Sequence, residues 1–422
     1  MKLYPHQKQA LELTEGRNKV AYYLDMGLGK TFVGAEKSIQ MKKNILLVCQ
    51  KSKIDDWKEH FLEYYATQIV LCDLTNKLEF ESFIKLQDNE GYIVVGVINY
   101  DLMFRRPDLL KLQDFTLILD ESSNIQNEKA KRSKFVLKLQ PENVVLLSGT
   151  PVSGKYENLW TQANLIGWNL SKKVYQQHYV NWETIDVGGV PVKTVNKEDP
   201  YKNIERLKNK FRKHGAVFMK TEECFELPNQ NFIDIKVNSS KEYRKFKRSR
   251  IVTVFGEELV GDTKLVQMLC ERKLCGMYSQ EKLQAFKDLA ESTQDRLIVF
   301  YNFNDELYSL KKVAKELERP ISEVNGKIKD LKAYESESNS ITFIQYQAGA
   351  MGLNLQKANK IIYFTLPLVS ELFEQSKKRI HRIGQEKTCF YYTLLVKDSV
   401  ELDIKEVLEM RKNFTDELFK GH

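Results

Sequence analysis

Short apolar runs alternate with amphipathic segments in the first 150 residues of the chain. The runs are rich in Val, Ile and Leu, and several of the segments between them carry apolar positions at helical spacing. Strands that are apolar on both faces and alternate with helices are typical of a parallel sheet covered by helices on both sides. The pattern therefore predicts an α/β domain with strands at residues 20–24, 45–48, 69–71, 92–97, 117–119 and 144–147.

A second set of apolar runs begins near residue 297, and the pattern between the two sets is different. From about 160 to 290 the chain is charged and mostly helical, with interruptions at glycine and proline residues. We therefore predict two α/β lobes of parallel sheet with a mainly helical insertion between them. The strands of the second lobe are predicted at residues 297–300, 341–344, 361–364 and 390–396. The expected domains are lobe 1 at 1–165, the insertion and lobe linker at 166–290, and lobe 2 at 291–422.

The composition is that of a folded chain. Its 422 residues are 42% hydrophobic and 29% charged, which excludes the disordered and fibrous classes. No apolar run approaches the ~18 residues of a membrane span, and the first residues lack the apolar stretch of a signal peptide. The six cysteines form no C-x-x-C pair, so neither a zinc site nor a disulfide framework is expected. We expect a cytoplasmic protein without a membrane partner.

The net charge of +8 is concentrated in two segments. Residues 205–214 hold five basic side chains and one acidic one, and residues 241–250 hold six and one. Such runs are usually solvated helix faces, but they also suit a polyanionic partner. The sequence leaves both interpretations open. In the second one, Arg244, Lys245 and Lys247 would contact a DNA backbone, with aromatic side chains interleaved among them.

A glycine-rich turn follows the first predicted strand. Residues 25–31 read Asp-Met-Gly-Leu-Gly-Lys-Thr and precede a helical pattern. A strand, a glycine-rich turn and a helix bring backbone N–H groups and the positive end of the helix dipole to one point, where a triphosphate can bind. Gly27 and Gly29 would let the backbone approach the phosphates. Lys30 would bind the β- and γ-phosphates, and Thr31 would ligate Mg²⁺.

A pair of carboxylates follows the strand predicted at 117–119. In a parallel sheet a neighbouring strand would deliver its acids at the edge where the triphosphate binds. Asp120 would hold Mg²⁺ through water, and Glu121 would orient and deprotonate the attacking water. An ordinary strand end with exposed acids is the alternative for this pair alone. The phosphate loop upstream in the same lobe favours the catalytic interpretation.

The order of the motifs resembles that of a known family. The Gly-Leu-Gly-Lys-Thr turn is followed by Asp-Glu-Ser-Ser, by Leu-Ser-Gly-Thr-Pro at 147–151 and by Gln-x-x-x-Arg-x-His-Arg-Ile-Gly-Gln at 375–385. These resemble motifs I, II, III and VI of superfamily-two helicases, specifically the Swi/Snf-like DNA-dependent ATPases. The resemblance covers nearly the whole chain and is closest to the compact versions of bacteria and phages. It implies two RecA-like lobes.

The resemblance also implies roles for residues outside these motifs. Gln7 matches a glutamine that reads adenine, which makes ATP the expected triphosphate. Residues 347–355 match motif V, which couples DNA contact to the nucleotide site. The implied nucleotide contacts are Gln7 and Gln375, and the implied DNA contacts are Lys51, Lys53, Trp57, Gly352 and Asn354.

The motif at 375–385 can also be interpreted from its residues alone, without the resemblance. Ser370 is predicted to cap a helix and Gly384 to stop it, so Gln375, Arg379 and Arg382 would lie at i, i+4 and i+7 on one face. Two arginines held in this way could enter a site built by the other lobe and neutralise transition-state charge on the γ-phosphoryl group. The alternative is a surface helix with solvated arginines. His381 is expected to be structural.

The resemblance implies an ATP-hydrolysing motor that translocates on or remodels duplex DNA in a bacterial or phage-infected cytosol. One alternative is a replication or recombination helicase that separates strands. The sequence leaves it open because the wedge that separates strands is a shape and has no sequence motif. A second alternative is a non-enzymatic DNA-binding or protein-binding module on a motor fold. RNA as the true activator is a further alternative. Partner proteins from phage or host replication and recombination are a further expectation on this basis.

Overall fold

The structure is a computed structural model that describes residues 2–87, 91–152, 154–349 and 353–419. The chain divides into two compact units. Unit 1 consists of Met1–Cys224 together with Asn413–His422, and unit 2 consists of Phe225–Lys412. Within the described ranges, no helix combines the length and the apolar character that a membrane span requires.

Unit 1 is built on a parallel sheet. Its strands are β1 (Lys19–Leu24), β2 (Ile45–Cys49), β3 (Ile69–Asp73), β4 (Ile93–Asn99), β5 (Thr116–Asp120), β6 (Asn143–Leu147), β7 (Trp182–Val187), β8 (Val190–Val195) and β9 (Ala216–Met219). The sheet order over the described residues is β3-β4-β2-β5-β6-β1-β9, and every neighbouring pair is parallel. Strands β7 and β8 form a separate antiparallel hairpin.

All six strands predicted for lobe 1 are confirmed, and most of their ends extend by one or two residues. The interior strands are buried on both faces, as the continuous apolar runs predicted. Strand β9 was not predicted, because it is only four residues long and follows a charged helix. It adds to the sheet beside β1, where Ala216 pairs with Ala21.

Helices cover the sheet of unit 1. They are α1 (Pro5–Glu12), α2 (Lys30–Gln40), α3 (Ile54–Tyr65), α4 (Lys77–Lys85), α5 (Tyr100–Met103), α6 (Lys131–Val136), α7 (Trp160–Leu165), α8 (Lys172–Tyr179), α9 (Ile204–Lys213) and α10 (Thr221–Cys224). Short 3-10 turns occupy Lys51–Lys53, Pro107–Lys111, Ser122–Ile125 and Tyr156–Leu159. Helix α3 shows why these segments pack: its buried residues include Ile54, Trp57, Phe61 and Tyr65, which lie on one helical face.

Unit 2 is built on a second, mostly parallel sheet. Its strands are β10 (Gln230–Val237), β11 (Ile251–Val254), β12 (Glu257–Val260), β13 (Leu297–Tyr301), β14 (Ile321–Val324), β15 (Lys329–Asp330), β16 (Ile341–Gln345), β17 (Lys360–Tyr363) and β18 (Cys389–Val396). The sheet order over the described residues is β10-β18-β17-β13-β16-β14-β15, and within this sheet the β14–β15 pair is antiparallel. Strands β11 and β12 form a hairpin.

The four strands predicted for lobe 2 are confirmed, and three further strands of the sheet were missed. Strand β13 is buried along its whole length, and its alternating side chains belong to two cores: Ile298 and Phe300 face one, and Leu297 and Val299 face the other. Strand β10 lies at the edge of the sheet and is mostly exposed, so it carries no apolar run that could mark it in the sequence.

The helices of unit 2 are α11 (Lys241–Ser249), α12 (Lys264–Cys275), α13 (Gln280–Glu291), α14 (Asn304–Glu316), α15 (Lys332–Ser336), α16 (Tyr346–Gly349) and α17 (Ser370–Lys377). The last helix, α18 (Val400–Phe419), belongs to unit 2 up to Lys412 and to unit 1 from Asn413. In unit 1 its end buries Leu418 and Phe419, and the Thr415 hydroxyl donates to the carbonyl of Val152 at 3.2 Å.

The segment predicted as a mainly helical insertion, 166–290, differs from the expectation. It is divided between the units after Cys224, and it contains two hairpins and two strands that join the main sheets. Periodicity missed them because these strands are either short or exposed, so none shows the continuous apolar run of an interior strand.

Candidate nucleotide site

The phosphate loop predicted from the sequence connects β1 to α2. The strand ends at Leu24 and the helix begins at Lys30. Gly27 and Gly29 have φ angles of +89° and +72°, a region that strains any residue with a side chain. A Cβ atom on Gly29 would also collide with the side-chain amide of Gln7. The loop conformation therefore requires both glycines.

Lys30 lies at the mouth of this loop. Its ammonium group donates to the carbonyl of Leu24 at 3.1 Å and lies 3.5 Å from that of Asp25. A Cβ atom on Gly149 would lie 3.2 Å from the ammonium nitrogen, so the turn after β6 also approaches Lys30. Thr31 occupies the next position, in the first turn of α2. The positive charge of Lys30 thus lies beside the N-terminus of an 11-residue helix.

Gln7 is held against the same loop. Its Oε1 accepts from the N–H of Tyr4 at 2.9 Å, and its Nε2 donates to the carbonyl of Leu28 at 3.2 Å. The His6 Nε2 lies 3.0 Å from that carbonyl as well. Residues that are far apart in the sequence are therefore in contact here, and the amide predicted to read adenine is part of the loop's own hydrogen bonding.

The carboxylates lie at the end of β5, two strands from β1 in the sheet: Asp120 is the last residue of the strand and Glu121 follows it. Asp120 accepts a hydrogen bond from the Trp57 indole N–H at 2.8 Å, and its carbonyl accepts one from the Tyr100 hydroxyl at 2.8 Å. Burial raises the pKa of Asp120, while the Trp57 hydrogen bond and the charges of Lys30 and Lys53 lower it. Asp120 is thus a half-buried acid that a nearby cation would favour as carboxylate.

Glu121 has a left-handed backbone, with φ at 53°. Its Oε2 accepts a hydrogen bond from the Ser148 hydroxyl at 3.2 Å. Ser148 directly follows β6, the strand that lies between β5 and β1. The phosphate loop, the acid pair and the Ser148–Pro151 turn therefore meet at the carboxyl edge of three adjacent strands.

The donor set suits Mg²⁺ without an all-protein cage. Within the described residues, no cluster of three or more His, Cys, Asp or Glu side chains is placed to hold a metal ion. Mg²⁺ in phosphate sites is commonly bound by one or two protein oxygens together with phosphates and water. The Asp120 carboxylate and the Thr31 hydroxyl are hard oxygen ligands of this kind.

The structure corrects the prediction that Trp57 contacts DNA. Its side chain is 1% exposed, and its only polar atom donates to Asp120. The sequence does not show whether a tryptophan in a helix lies on the buried or the exposed face, and Trp57 lies on the buried face of α3. Lys51 is exposed, and Lys53 forms an ion pair with Asp56 at 2.6 Å. Both lysines remain predicted DNA contacts.

The structure also corrects the predicted helix at 370–384. Helix α17 ends at Lys377, so Arg379 and Arg382 lie in the turns that follow and not on a shared helix face with Gln375. The carbonyls of the last turn are satisfied without glycine: that of Ser376 accepts from the N–H of Arg379 at 3.2 Å, and that of Lys377 accepts from the Tyr391 hydroxyl at 3.1 Å.

The turns after α17 are partly buried, and hydrogen bonds to neighbouring backbone hold them. Arg379 is 2% exposed, and its carbonyl accepts from the N–H of Leu355. Burial lowers the pKa of Arg382. The side chain of Gln385 donates to the carbonyl of Ala358 at 2.8 Å. The ring of His381 contacts the carbonyl of Pro228 at 2.9 Å, in keeping with a structural role.

The remaining predicted DNA contacts have mixed outcomes. Gly352 lies outside the described residues, and Asn354 is exposed. In α9, Lys208 is buried in ion pairs with Glu205 and Glu417, which favours the structural interpretation of that basic segment. In α11 the aromatic residues are buried, so they are not available for stacking on bases. The residues concerned are Tyr243 and Phe246.

The basic side chains of α11 are nevertheless exposed. Arg244, Lys245, Lys247 and Arg248 all lie on the solvent side of the helix. Their backbone is fixed because the opposite face packs into a small core with β11 and α12. This exposed row of cations on α11 is compatible with the polyanion interpretation.

Sequence reasoning missed a buried acid in unit 2. Glu306 in α14 accepts hydrogen bonds at its Oε2 from the N–H groups of Asn302 and Phe303 and from the Thr365 hydroxyl, at 2.9–3.0 Å. Its Oε1 is buried with no hydrogen-bond partner among the described residues, and it occupies the space that a Cβ on Gly276 would need. The signal available in the sequence was a helix-capping glutamate at the third position of α14.

Comparisons with known proteins place the chain among helicase-like ATPases. A family model described as the SNF2-related domain matches residues 15–282, and one described as the helicase conserved C-terminal domain matches residues 281–384. An uncharacterised ATP-dependent helicase of Mycoplasma genitalium is 22% identical over 92% of this chain. The chain spans 39% of that relative's length.

Two further similarities concern a bacterial protein and a solved structure. An uncharacterised ATP-dependent helicase of Bacillus subtilis is 24% identical over 96% of this chain and 77% of its own length. The SWI2/SNF2 ATPase core of Sulfolobus solfataricus in complex with double-stranded DNA is 19% identical, with a TM-score of 0.46. That comparison covers 99% of this chain and 92% of the other.

The environment of Glu306 predicts a pH-dependent stability of unit 2. Burial raises the pKa of Glu306 to about 7, above the ordinary value of 4.5. The folded state therefore binds a proton that the unfolded state releases, so this residue's contribution to stability falls as pH rises from about 4.5 through 7. We expect Glu306→Gln to reduce, by roughly 2–4 kcal/mol, the difference in the free energy of unfolding between low and high pH.

Hydrogen exchange of the β13 amides at pH 5 and pH 8 would measure this effect in unit 2. The matched control is Glu291→Gln, an exposed acid at the end of α13. All four tryptophans lie in unit 1, so their fluorescence reports unfolding of the other unit in the same sample. An unchanged difference between the two pH values in the Glu306 variant would contradict the assignment.

Proposed function

Because the chain belongs to the SNF2-related domain family, we propose that it is an ATP-hydrolysing motor that translocates on or remodels duplex DNA, with hydrolysis stimulated by DNA. The observation that carries this proposal is the meeting of Lys30, Asp120 and Glu121 at one sheet edge, with the Ser148 hydroxyl on the Glu121 carboxylate. This set can bind a triphosphate and act on a water molecule.

Each group at this edge has a distinct task in the proposal. Lys30 and the N–H groups at the start of α2 bind the β- and γ-phosphates. Thr31 and Asp120 would hold Mg²⁺, which supplies charge neutralisation on the phosphates when bound. Glu121 orients the attacking water and accepts its proton. The donation from Ser148 keeps that carboxylate in one orientation.

Unit 2 contributes two further groups to the proposal. Arg379 and Arg382 are assigned the neutralisation of charge that develops on the γ-phosphoryl group, as the motif at 375–385 implies. Arg379 is already buried and has lost most of its water, so its guanidinium needs little further desolvation on meeting an anion. The exposed cations of α11 are assigned to the DNA backbone.

Substitutions at Lys30 and Glu121 should separate ATP binding from hydrolysis. Lys30→Ala removes a charge from the bound phosphates, so ATP binding should weaken about ten- to a hundredfold, with turnover falling as well. Glu121→Gln keeps the shape but cannot accept the proton, so ATP should stay bound while turnover falls about 10²–10⁴-fold. Nucleotide binding and single-turnover hydrolysis, with duplex DNA, single strands and RNA as activators, measure both. Wild-type turnover in the Glu121→Gln variant would show that Glu121 does not act on the attacking water.

Substitutions at the two arginines should affect rate and not affinity. We expect Arg379→Ala and Arg382→Ala each to lower DNA-stimulated turnover by about 10²–10³-fold, because their contribution is to charge that develops in the transition state. ATP affinity should change little. The matched control is Lys387→Ala, an exposed cation downstream in the chain. A loss of ATP affinity equal to the loss of rate would point instead to a role in substrate binding.

Neutralising the exposed cations of α11 should weaken DNA binding without altering basal hydrolysis. Each phosphate contact adds about 0.9 to the slope of log affinity against log salt concentration. Replacing Arg244, Lys245, Lys247 and Arg248 by Gln should therefore lower that slope by as much as about 3–4. A charge-matched control replaces four exposed lysines elsewhere in unit 2, namely Lys312, Lys315, Lys327 and Lys329. If the two variants had equal slopes of log affinity against log salt concentration, the basic residues of α11 would be interpreted as a solvated helix face.

A further inference from the structure

A buried amide in unit 1 joins the three segments that surround the proposed hydrolysis site. Gln162 lies in α7 and its side chain is 0% exposed. Its Oε1 is 2.9 Å from the Tyr23 hydroxyl on β1 and 2.8 Å from the hydroxyl of Ser122, the residue after Glu121. Its Nε2 is 2.6 Å from the carbonyl of Pro151.

The chemistry of the partners settles which end of the amide faces which segment. The carbonyl of Pro151 can only accept a hydrogen bond, so the N–H of Gln162 must face it. The amide oxygen then faces the two hydroxyls, and both must donate to it. Tyr23 and Ser122 are themselves buried, so each hydroxyl would lose its partner without Gln162. The three bonds form one arrangement with no equivalent flipped form.

This arrangement fixes the distance between two turns. Ser122 continues the acid pair after β5, whereas Pro151 ends the turn after β6. That second turn is tightened by the Thr150 N–H, which donates to the Ser148 hydroxyl at 3.1 Å. The same hydroxyl donates to the Glu121 carboxylate. Any shift of the Pro151 turn relative to Ser122 would therefore change the geometry at Glu121.

We propose that Gln162 is a positioning residue for hydrolysis, which holds the Ser148–Pro151 turn against the acid pair so that Ser148 orients Glu121. This inference rests on the proposed function and adds a residue outside the motifs. Within the part of the chain that the structure describes, the side-chain hydrogen bonds of Gln162 reach Tyr23, Ser122 and Pro151 and none of the groups assigned to bind ATP, so it acts through Ser148. Misplacement of a reacting group by about 1 Å can cost up to 10²-fold in rate.

Replacing Gln162 by Glu gives a pH-dependent test. The carboxyl is isosteric with the amide, and burial should raise its pKa. In the neutral form its O–H can donate to Pro151 while the other oxygen accepts from Tyr23 and Ser122. After ionisation an oxygen faces the Pro151 carbonyl with no proton between them, so this contact becomes repulsive. We expect kcat of Gln162→Glu to fall about tenfold or more between pH 6 and pH 9, at constant KM for ATP.

The control variant is Gln177→Glu, which changes an exposed glutamine of α8 in the same unit. Its kcat should follow the wild-type pH profile. Tryptophan fluorescence of unit 1 should show that the Gln162 variant stays folded throughout the range. If the Glu variant does not fold, Gln162→Met removes all three hydrogen bonds at similar volume and should lower kcat at every pH with the same constant KM.

The outcomes distinguish the inference from the function on which it rests. A Gln162→Glu or Gln162→Met protein with the wild-type kcat and pH profile would overturn the inference alone. Loss of ATP binding in proportion to the loss of rate would overturn it too, because that result shows a structural role for the amide. A wild-type chain that does not hydrolyse ATP, with or without DNA, would overturn the proposed function and the inference together.

Discussion

Adjacent parallel strands end at the same edge of a sheet, and the candidate site of this protein depends on that constraint. In unit 1 the order β5-β6-β1 places the acid pair, the Ser148–Pro151 turn and the phosphate loop side by side. The segments come from positions 25, 120 and 148 of the chain. No local propensity could bring them together, whereas hydrogen bonding between the strands does so for each of them at once.

Crowding polar groups at a buried edge requires that each group has a partner. Asp120 receives the indole N–H of Trp57, and its carbonyl receives the Tyr100 hydroxyl. The buried side chain of Gln162 accepts hydrogen bonds from two hydroxyls and donates one to a carbonyl. These contacts use side chains from helices and strands that are distant in sequence. They limit the orientations available to the acids, which is the property that a hydrolysis site needs.

Unit 2 has a group of linked polar side chains at its own sheet edge. The side chain of Asn302 donates to the Thr365 hydroxyl at 2.9 Å and to the carbonyl of Leu366 at 3.1 Å. Tyr346 donates to the Thr365 carbonyl at 3.0 Å, so the ends of β13, β16 and β17 are tied together. Glu306 completes this group with one satisfied oxygen and one without a hydrogen bond. Burial raises the pKa of this carboxyl, while its hydrogen bonds lower it.

The sequence by itself determined the interior strands and the phosphate loop. Continuous apolar runs can be buried on both faces only inside a covered parallel sheet, and Gly27 and Gly29 have positive φ angles that side chains resist. Edge strands carry no such signal. Strand β10 is mostly exposed and β9 is four residues long, so neither could be recognised by periodicity.

Only the tertiary structure decided the roles of several polar and aromatic residues. Trp57 turned inward because its indole N–H satisfies Asp120, a residue 63 positions away in the chain. Helix α17 ends at Lys377, and the carbonyl of that residue accepts from the hydroxyl of Tyr391 on β18, which is distant in the sequence. Gln162 has no motif around it, and its position matters through three partners on three other segments. Packing between distant elements determines partners of this kind, so the sequence pattern near each residue cannot predict them.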